Sequence, residues 1–231
     1  MKTKLARLFV DIETIAHPAI LDFLPEPKAA KNVKDPEKIK ASIAEKTAEL
    51  LEQAPLDPDL AQVALISMQI GEDGDPVIAL VTKKITAAKK FFKDQPCVKV
   101  LSESAALELF WKYFSMTDGR AVGYNLISFD LPFLVRRSFD LGVRPPYMPN
   151  LAKYRAEPIT DLYCLLYNWD WQKSKGLKWV CKRYDISVQA PDVDGSMVKD
   201  MTPAELVKYG LSDLDATVQL YQRMNGYYFS F

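Results

Sequence analysis

Two carboxylates, Asp11 and Glu13, interrupt the apolar, β-rich run LARLFVDIET at residues 5–14. Successive side chains of a strand point to opposite faces, so positions i and i+2 share one face. A strand with this pattern sets both acids side by side on one side of a sheet. Leaving such charges buried and unpaired costs roughly several kcal/mol. The pair therefore either sits at a strand end open to water or calls for a cation, and the residues alone leave both readings open.

The remainder reads as an α/β domain. VALISMQIG (63–71) and PVIALVTK (76–83) predict two more strands, joined as a hairpin through Glu72, Asp73, Gly74 and Asp75. Short strands are expected near 98–101 and over 120–125. Between the first two strands, residues 25–60 are rich in Pro, Lys, Glu and Ala, with helical composition over 36–53 but a weak apolar face. Ser102 or Ser104 can cap a helix that lines up Leu107, Phe110, Trp111 and Phe114. Another helix runs from Asp130 to a C-cap at Gly142, and shorter ones cover 161–167 and 177–184. Thr202-Pro203-Ala204-Glu205 is a capping box that opens a last helix to about Met224. The expected fold class is α/β, a mixed five-stranded sheet flanked by helices, as one domain over 1–231 with a helical insertion at about 25–60.

Composition narrows the function classes. A chain of 231 residues suits one large domain and is too short for a polymerase with its own proofreading domain. No stretch approaches the roughly 18 apolar residues of a membrane span, and the start lacks a signal-type apolar core, so no membrane partner and a cytoplasmic location are expected. Cys97, Cys164 and Cys181 form no CxxC pair, which argues against a zinc or dithiol centre. Lys plus Arg and Asp plus Glu both total 30, so the basic signature of a duplex binder is missing. That balance leaves room for an enzyme in which bound cations meet the phosphate.

Two further acid positions complete the candidate set. Asp130 stands where the segment GYNLISFD passes from strand to helix, a place where aspartate is also an ordinary N-cap worth about 0.5–2 kcal/mol. Tyr209 and Asp213 lie four apart and share a face of a continuous helix, with Asp215 equally eligible by composition. His17, the single histidine, is expected at the surface of a loop.

Taken in order, VDIET, YNxxSFDLPFL and YGLSD resemble the three motifs of the DEDD superfamily of 3′–5′ exonucleases. Tyrosine in the third motif resembles the branch that includes the proofreading domain of family-B DNA polymerases; the histidine branch would need histidine where Lys208 stands. The chain is most similar to stand-alone polymerase-B-like exonucleases of bacteria and phages, in which a segment like DVDGSMV (192–198) also precedes the third motif. The likeness runs from Leu8 to Tyr221 outside the 25–60 excursion. It implies a ribonuclease-H-like fold, with metal ligation by Asp11, Glu13, Asp130 and Asp213. It also implies Tyr209 near the attacking water and Asn125 and Phe129 beside the substrate. Two departures stand out: Gly210 replaces a cysteine common in relatives, at about 1 kcal/mol in a helix interior, and Ser212 with Asp215 could start a fresh helix and kink the last one.

The implied activity is release of 5′-mononucleotides from single-stranded DNA or a DNA 3′ end, using two Mg2+ or Mn2+ ions. If the enzyme is phage-encoded, it would act in the host cytoplasm. Tyrosine, with an ordinary pKa of about 10, is a poor base at neutral pH and suits orienting a water. Tyr124, Phe129 and Leu126 are candidates to stack or wedge the terminal bases, although Leu126 also fits the core. Three alternatives stay open: an RNA or oligonucleotide exonuclease, a catalytically silent nucleic-acid-binding module, and a nuclease that docks a single-strand binding or recombination protein through 25–60.

Overall fold

The apolar run around Phe9 becomes β1 (Leu8–Ala16), and its alternation is realised: Leu8, Val10 and Ile12 enter one core layer while Phe9 enters another on the opposite face. The structure, a computed structural model, describes residues 6–22, 24, 27–29, 34–190 and 195–229. Leu5, parts of the 25–60 excursion and residues 192–194 of the DVDGSMV segment lie outside them.

After β1 the chain forms α1 (Pro36–Gln53), β2 (Ala61–Ile70), β3 (Val77–Val81), α2 (Ile85–Phe91) and β4 (Val98–Leu101). It continues through α3 (Glu103–Met116), β5 (Ala121–Gly123), α4 (Asp130–Asp140) and β6 (Ile159–Asp161). Three helices close it: α5 (Leu162–Tyr167), α6 (Leu177–Arg183) and α7 (Pro203–Met224). The strands among the described residues pair in the order β4-β3-β2-β1-β5-β6. β1, β2 and β3 are antiparallel, as the hairpin reading expected, whereas β4, β5 and β6 join in parallel. The sheet thus has six strands rather than five. The added one, β6, is a three-residue strand directly after Pro158, too short to show any periodicity.

Helices cover both faces. α3 and α4 pack Leu107, Phe110, Phe114, Phe133 and Leu134 against the Leu8/Val10/Ile12 side. A buried Trp111 Nε1 donates to Ser138 Oγ at 2.8 Å, and Arg137 grips Glu103 in a fork of 2.8 and 3.0 Å, which fixes α3 against α4. α7 crosses the opposite face, where Tyr221 meets Phe9 edge-on at 5.2 Å, with α5 and α6 beside it. Thr202 and Glu205 close the expected capping box at its start. α1 is capped by Asp35 and buries none of its residues, in keeping with its weak apolar face.

Two glycines let backbones approach where side chains could not. A Cβ at Gly123 would lie 2.9 Å from the Val10 carbonyl oxygen, so β5 can end tight against β1 only with glycine there. A Cβ at Gly210 would fall 2.5 Å from Leu65 Cδ2 and 2.6 Å from Ser67 Oγ. The glycine in the middle of α7, a local defect by helix propensity, is what allows this helix to settle on β2.

Candidate active site

The four acids arrive from three elements. Asp11 and Glu13 project from β1 toward α7, on the same side as Phe9. Beyond Glu13 the β1/β2 register slips by one residue, Glu13 facing Leu65 and Thr14 facing Val63, so the pair lies at the last regular stretch of the ladder. β1 runs on past the end of β5, whose pairing stops at Val122 opposite Phe9. The Ile12 N–H therefore has no β5 carbonyl to meet, and Asp130 Oδ1 accepts it at 3.1 Å. This fixes Asp130 between Asp11 and Glu13 along the strand. Its carboxylate is committed to β1 and makes no N-cap; the capping position belongs to Phe129, which has no side-chain cap bond.

Asp213 comes from α7. That helix is continuous from Pro203 to Met224, so no fresh helix starts at Ser212. Ser212 is turned instead to accept the Ala190 N–H at 3.2 Å. Tyr209, one turn earlier on the same face, places its hydroxyl close enough to the Asp213 carboxylate for each to shift the other's proton affinity. Asp215, the rival by composition, is exposed and accepts from Gln219 Nε2 at 2.8 Å.

Electrostatics tie these groups together. The Asp11 carboxyl is pushed well above the ordinary range by burial first, then by the charges of Glu13, Asp130 and Asp213. Glu13 is raised by burial, then by Asp213 and Asp130. Burial raises Asp130, against backbone N–H donors that lower it, and raises Asp213 against Lys178 and the Tyr209 hydroxyl. Tyr209 is itself driven far above 10 by burial and the neighbouring acids. Residue-level exposure leaves Asp11 partly open, yet its Oδ2 is covered.

Lys178 was not anticipated from the sequence. Its ammonium lies 4.5 Å from the centre of the Tyr209 ring, is buried, and has no hydrogen-bond partner among the described residues. It lowers the proton affinity of Asp11, Glu13 and Asp213. A signal existed: on α6 it sits between the apolar positions Leu177, Val180 and Cys181, an inner-face place for a lysine.

The expected substrate residues Tyr124, Asn125 and Phe129 lie on the segment that leads from β5 to Asp130 at the start of α4. Asn125 takes a left-handed backbone (φ 66°), and its N–H and that of Ile127 both donate to Asp161, at 3.1 and 2.9 Å. The Asn125 Oδ1 is buried without a donor among the described residues. Phe129 is half-buried and packs on Phe133 at 5.6 Å. Tyr124 donates its hydroxyl to the Lys175 carbonyl, and Leu126 lies wholly in the core, as its apolar reading expected. His17, after β1, accepts the Ala19 N–H at 3.2 Å through Nδ1.

The donor set suits divalent ions in chemistry, though not yet in spacing. Asp11 Oδ2 and Asp213 Oδ1 are buried and accept no hydrogen bond among the described residues, and carboxylate oxygens are the ligands hard cations prefer. As they stand, no three acidic, histidine or cysteine side chains among the described residues converge tightly enough to grip one ion. The carboxylates are close enough to repel and would have to draw in around a cation.

Comparison with known proteins agrees with this architecture. A family model of the RNase_H superfamily matches residues 51–201, which include Asp130 but neither β1 nor Asp213. No curated protein matches. Among solved structures, the chain is similar to the family B DNA polymerase of the hyperthermophilic archaeon Pyrobaculum calidifontis. The TM-score is 0.58 at 18% identity, over 96% of this chain and 25% of that polymerase. The chain thus spans a quarter of that polymerase, and the likeness is one of fold. No helix among the described residues is long and apolar enough to cross a membrane. With well over half its length matched and a six-stranded mixed sheet flanked by helices, the chain belongs to the RNase H superfamily, which points to a nuclease acting on nucleic acid.

Proposed function

We propose that this chain is a 3′–5′ exonuclease that releases 5′-mononucleotides from single-stranded DNA. Two Mg2+ or Mn2+ ions would be held by Asp11, Glu13, Asp130 and Asp213. The observation that carries the reading is the buried, mutually repelling set of carboxylates with two oxygens left without donors. A fold gains nothing from such a set unless cations complete it. When bound, divalent ions supply charge neutralisation and Lewis acidity at the scissile phosphate.

The chain's own groups supply the positioning. The Ile12 N–H holds Asp130, and the Tyr209 hydroxyl lies beside Asp213 and lowers its proton affinity. Because Tyr209 keeps its proton throughout the neutral range, it serves as a donor that orients a water or a phosphate oxygen and does not act as the base. Lys178 places a fixed positive charge on the same side of the acids, suited to a phosphate oxygen. Asn125 and Phe129 border the corner where the terminal nucleotide would lie.

The test is digestion of 5′-labelled single-stranded DNA, with matched RNA, by wild type and by Asp11→Asn and Asp213→Asn. The wild type should shorten the labelled strand stepwise from its far end only with Mg2+ or Mn2+, while both variants stay folded and inactive. Undiminished cleavage by either variant in a clean preparation refutes the assignment.

A further inference from the structure

The neutral overall charge conceals a local excess. Residues 153–184 contain seven Lys and Arg against three acids, together with seven aromatic residues and three of the four tryptophans. All three acids are already engaged. Glu157 pairs with Arg7 and Arg120, Asp161 accepts backbone N–H groups, and Asp170 pairs with Lys173. Lys153, Arg155, Lys175 and Lys182 are exposed and form no ion pair among the described residues.

The aromatic rings are in contact and lead out from the active-site corner. Tyr124, next to Asn125, meets Tyr163 of α5 at 5.4 Å, and Tyr163 meets Trp171 at 5.1 Å. Nearby, Tyr154 and Trp169 lie 5.3 Å apart. Both are held in left-handed backbone, at φ 61° and 59°, a conformation that bulky residues adopt only when the surroundings demand it. Tyr154 is 75% exposed and Trp171 42% exposed. Asp161 joins the row to the acids: it caps α5, accepts the Asn125 N–H, and raises the proton affinity of Asp130.

Large exposed rings among free cations match one partner chemistry. A single strand presents unstacked bases to the rings and phosphates to the ammonium and guanidinium groups, whereas a duplex hides its base faces. We propose that this surface is the track for single-stranded nucleic acid leading away from the terminal nucleotide, with bases stacked on Trp171, Tyr154 and Trp169 and phosphates passing Lys153, Arg155, Lys175 and Lys182. The inference rests on the nuclease reading only for which end of the strand reaches the acids.

The experiment is a fluorescence titration of the full chain in EDTA with dT3, dT12 and rU12. Two of the four indoles, Trp169 and Trp171, lie in this row and Trp111 is only 3% exposed inside the α3–α4 layer, so stacking should quench a substantial part of the emission. The expected result is quenching by dT12 that weakens with salt and is weaker for dT3. Trp171→Ala and Lys175→Glu should each lower dT12 affinity by about fivefold or more, while Trp171→Phe retains most of it. Equal response to rU12 assigns the track to either nucleic acid; preference for one names it. Binding of dT12 and rU12 without quenching, or affinity unchanged in both Trp171→Ala and Lys175→Glu, overturns the proposal. Hydrolysis plays no part in EDTA, so that failure leaves the nuclease reading standing. Quenching by a wild type that never cleaves with metal does the reverse.

Discussion

Replacing Asp130 with asparagine should stabilise the metal-free protein at alkaline pH. Burial pushes this carboxyl up to about 7. Against about 3.9 for an unburied aspartate, and at about 1.4 kcal/mol per pH unit, the gap corresponds to roughly 4 kcal/mol. The sign follows from proton counting. Between about pH 4 and 7 the folded chain binds the proton that the unfolded chain releases, so stability is full below pH 4 and is lost as pH rises through about 7. Asp11, Glu13 and Asp213 shift in the same direction and steepen the decline. Asparagine keeps an acceptor for the Ile12 N–H but adds an amide donor, which offsets about 1–2 kcal/mol. The net gain should be about 2 kcal/mol at pH 8.5, or about 4–8 °C in Tm for a domain of this size, and none at pH 5. Thermal melts in EDTA at both pH values check it. Mn2+ at a hundredfold its Kd should raise wild type by about 2.7 kcal/mol and the variant by far less. If Asp130→Asn melts at or below wild type at pH 8.5, the carboxylate is not held against its own charge and the reasoning from burial fails.

Three other substitutions probe separate links. Gly210→Ala gains about 1 kcal/mol of helix propensity but must fit a Cβ 2.5 Å from Leu65 Cδ2, so it should cost about 1–2 kcal/mol net and lower activity by lifting Tyr209 and Asp213 from β2. A more stable, fully active variant would show that the close approach is unimportant. Tyr209→Phe should slow turnover about tenfold, less than loss of a carboxylate, and leave the pH–rate profile below pH 9 unchanged in shape, since the phenol does not titrate there. An unaltered rate removes Tyr209 from the site. Lys178→Met keeps the stem over the Tyr209 ring but deletes the cation, so Mn2+ should bind severalfold more tightly while metal-free Tm at pH 8 falls. Isothermal titration and melts decide, and no change in either measurement means that the ammonium does not feel the acids.

How much of this was legible before folding depends on the range of the interaction. Elements marked by local chemistry were readable: α1 over Pro36–Gln53, the Ser102 cap, the Thr202/Glu205 box and the shared face of Asp11 and Glu13. What escaped reading depends on distant neighbours. β6 is too short for periodicity, and α2 has no side-chain cap to announce it. Gly210 looked like a helix defect because Leu65 and Ser67, whose side chains a Cβ would have to displace, lie far away in sequence. Ser212 looked like a cap because the Ala190 N–H that occupies it comes from another segment. Lys178 looked like one basic residue among many, since only the packing of α6 beside α7 brings it over Tyr209.

The disposition of cations shows how such a chain tolerates a negative pocket. Arg137 is spent on Glu103 and Asp140, and Arg7 and Arg120 on Glu157, so the arginines best suited to neutralise a carboxylate are tied up in the scaffold. At the acids the fold offers neutral groups, the Ile12 N–H that holds Asp130 and the nearby Tyr209 hydroxyl, which do not cancel charge, and, among the described residues, the Lys178 ammonium. A guanidinium in that place would form a buried salt bridge and leave little for a divalent ion to gain. Surplus charge is therefore kept where a cation can use it, and the cost is borne by the two packed layers on either side of β1. Four exposed cations without an ion pair among the described residues, Lys153, Arg155, Lys175 and Lys182, fall in the aromatic-rich stretch 153–184, so a zero net charge still covers a local positive excess there beside the negative pocket.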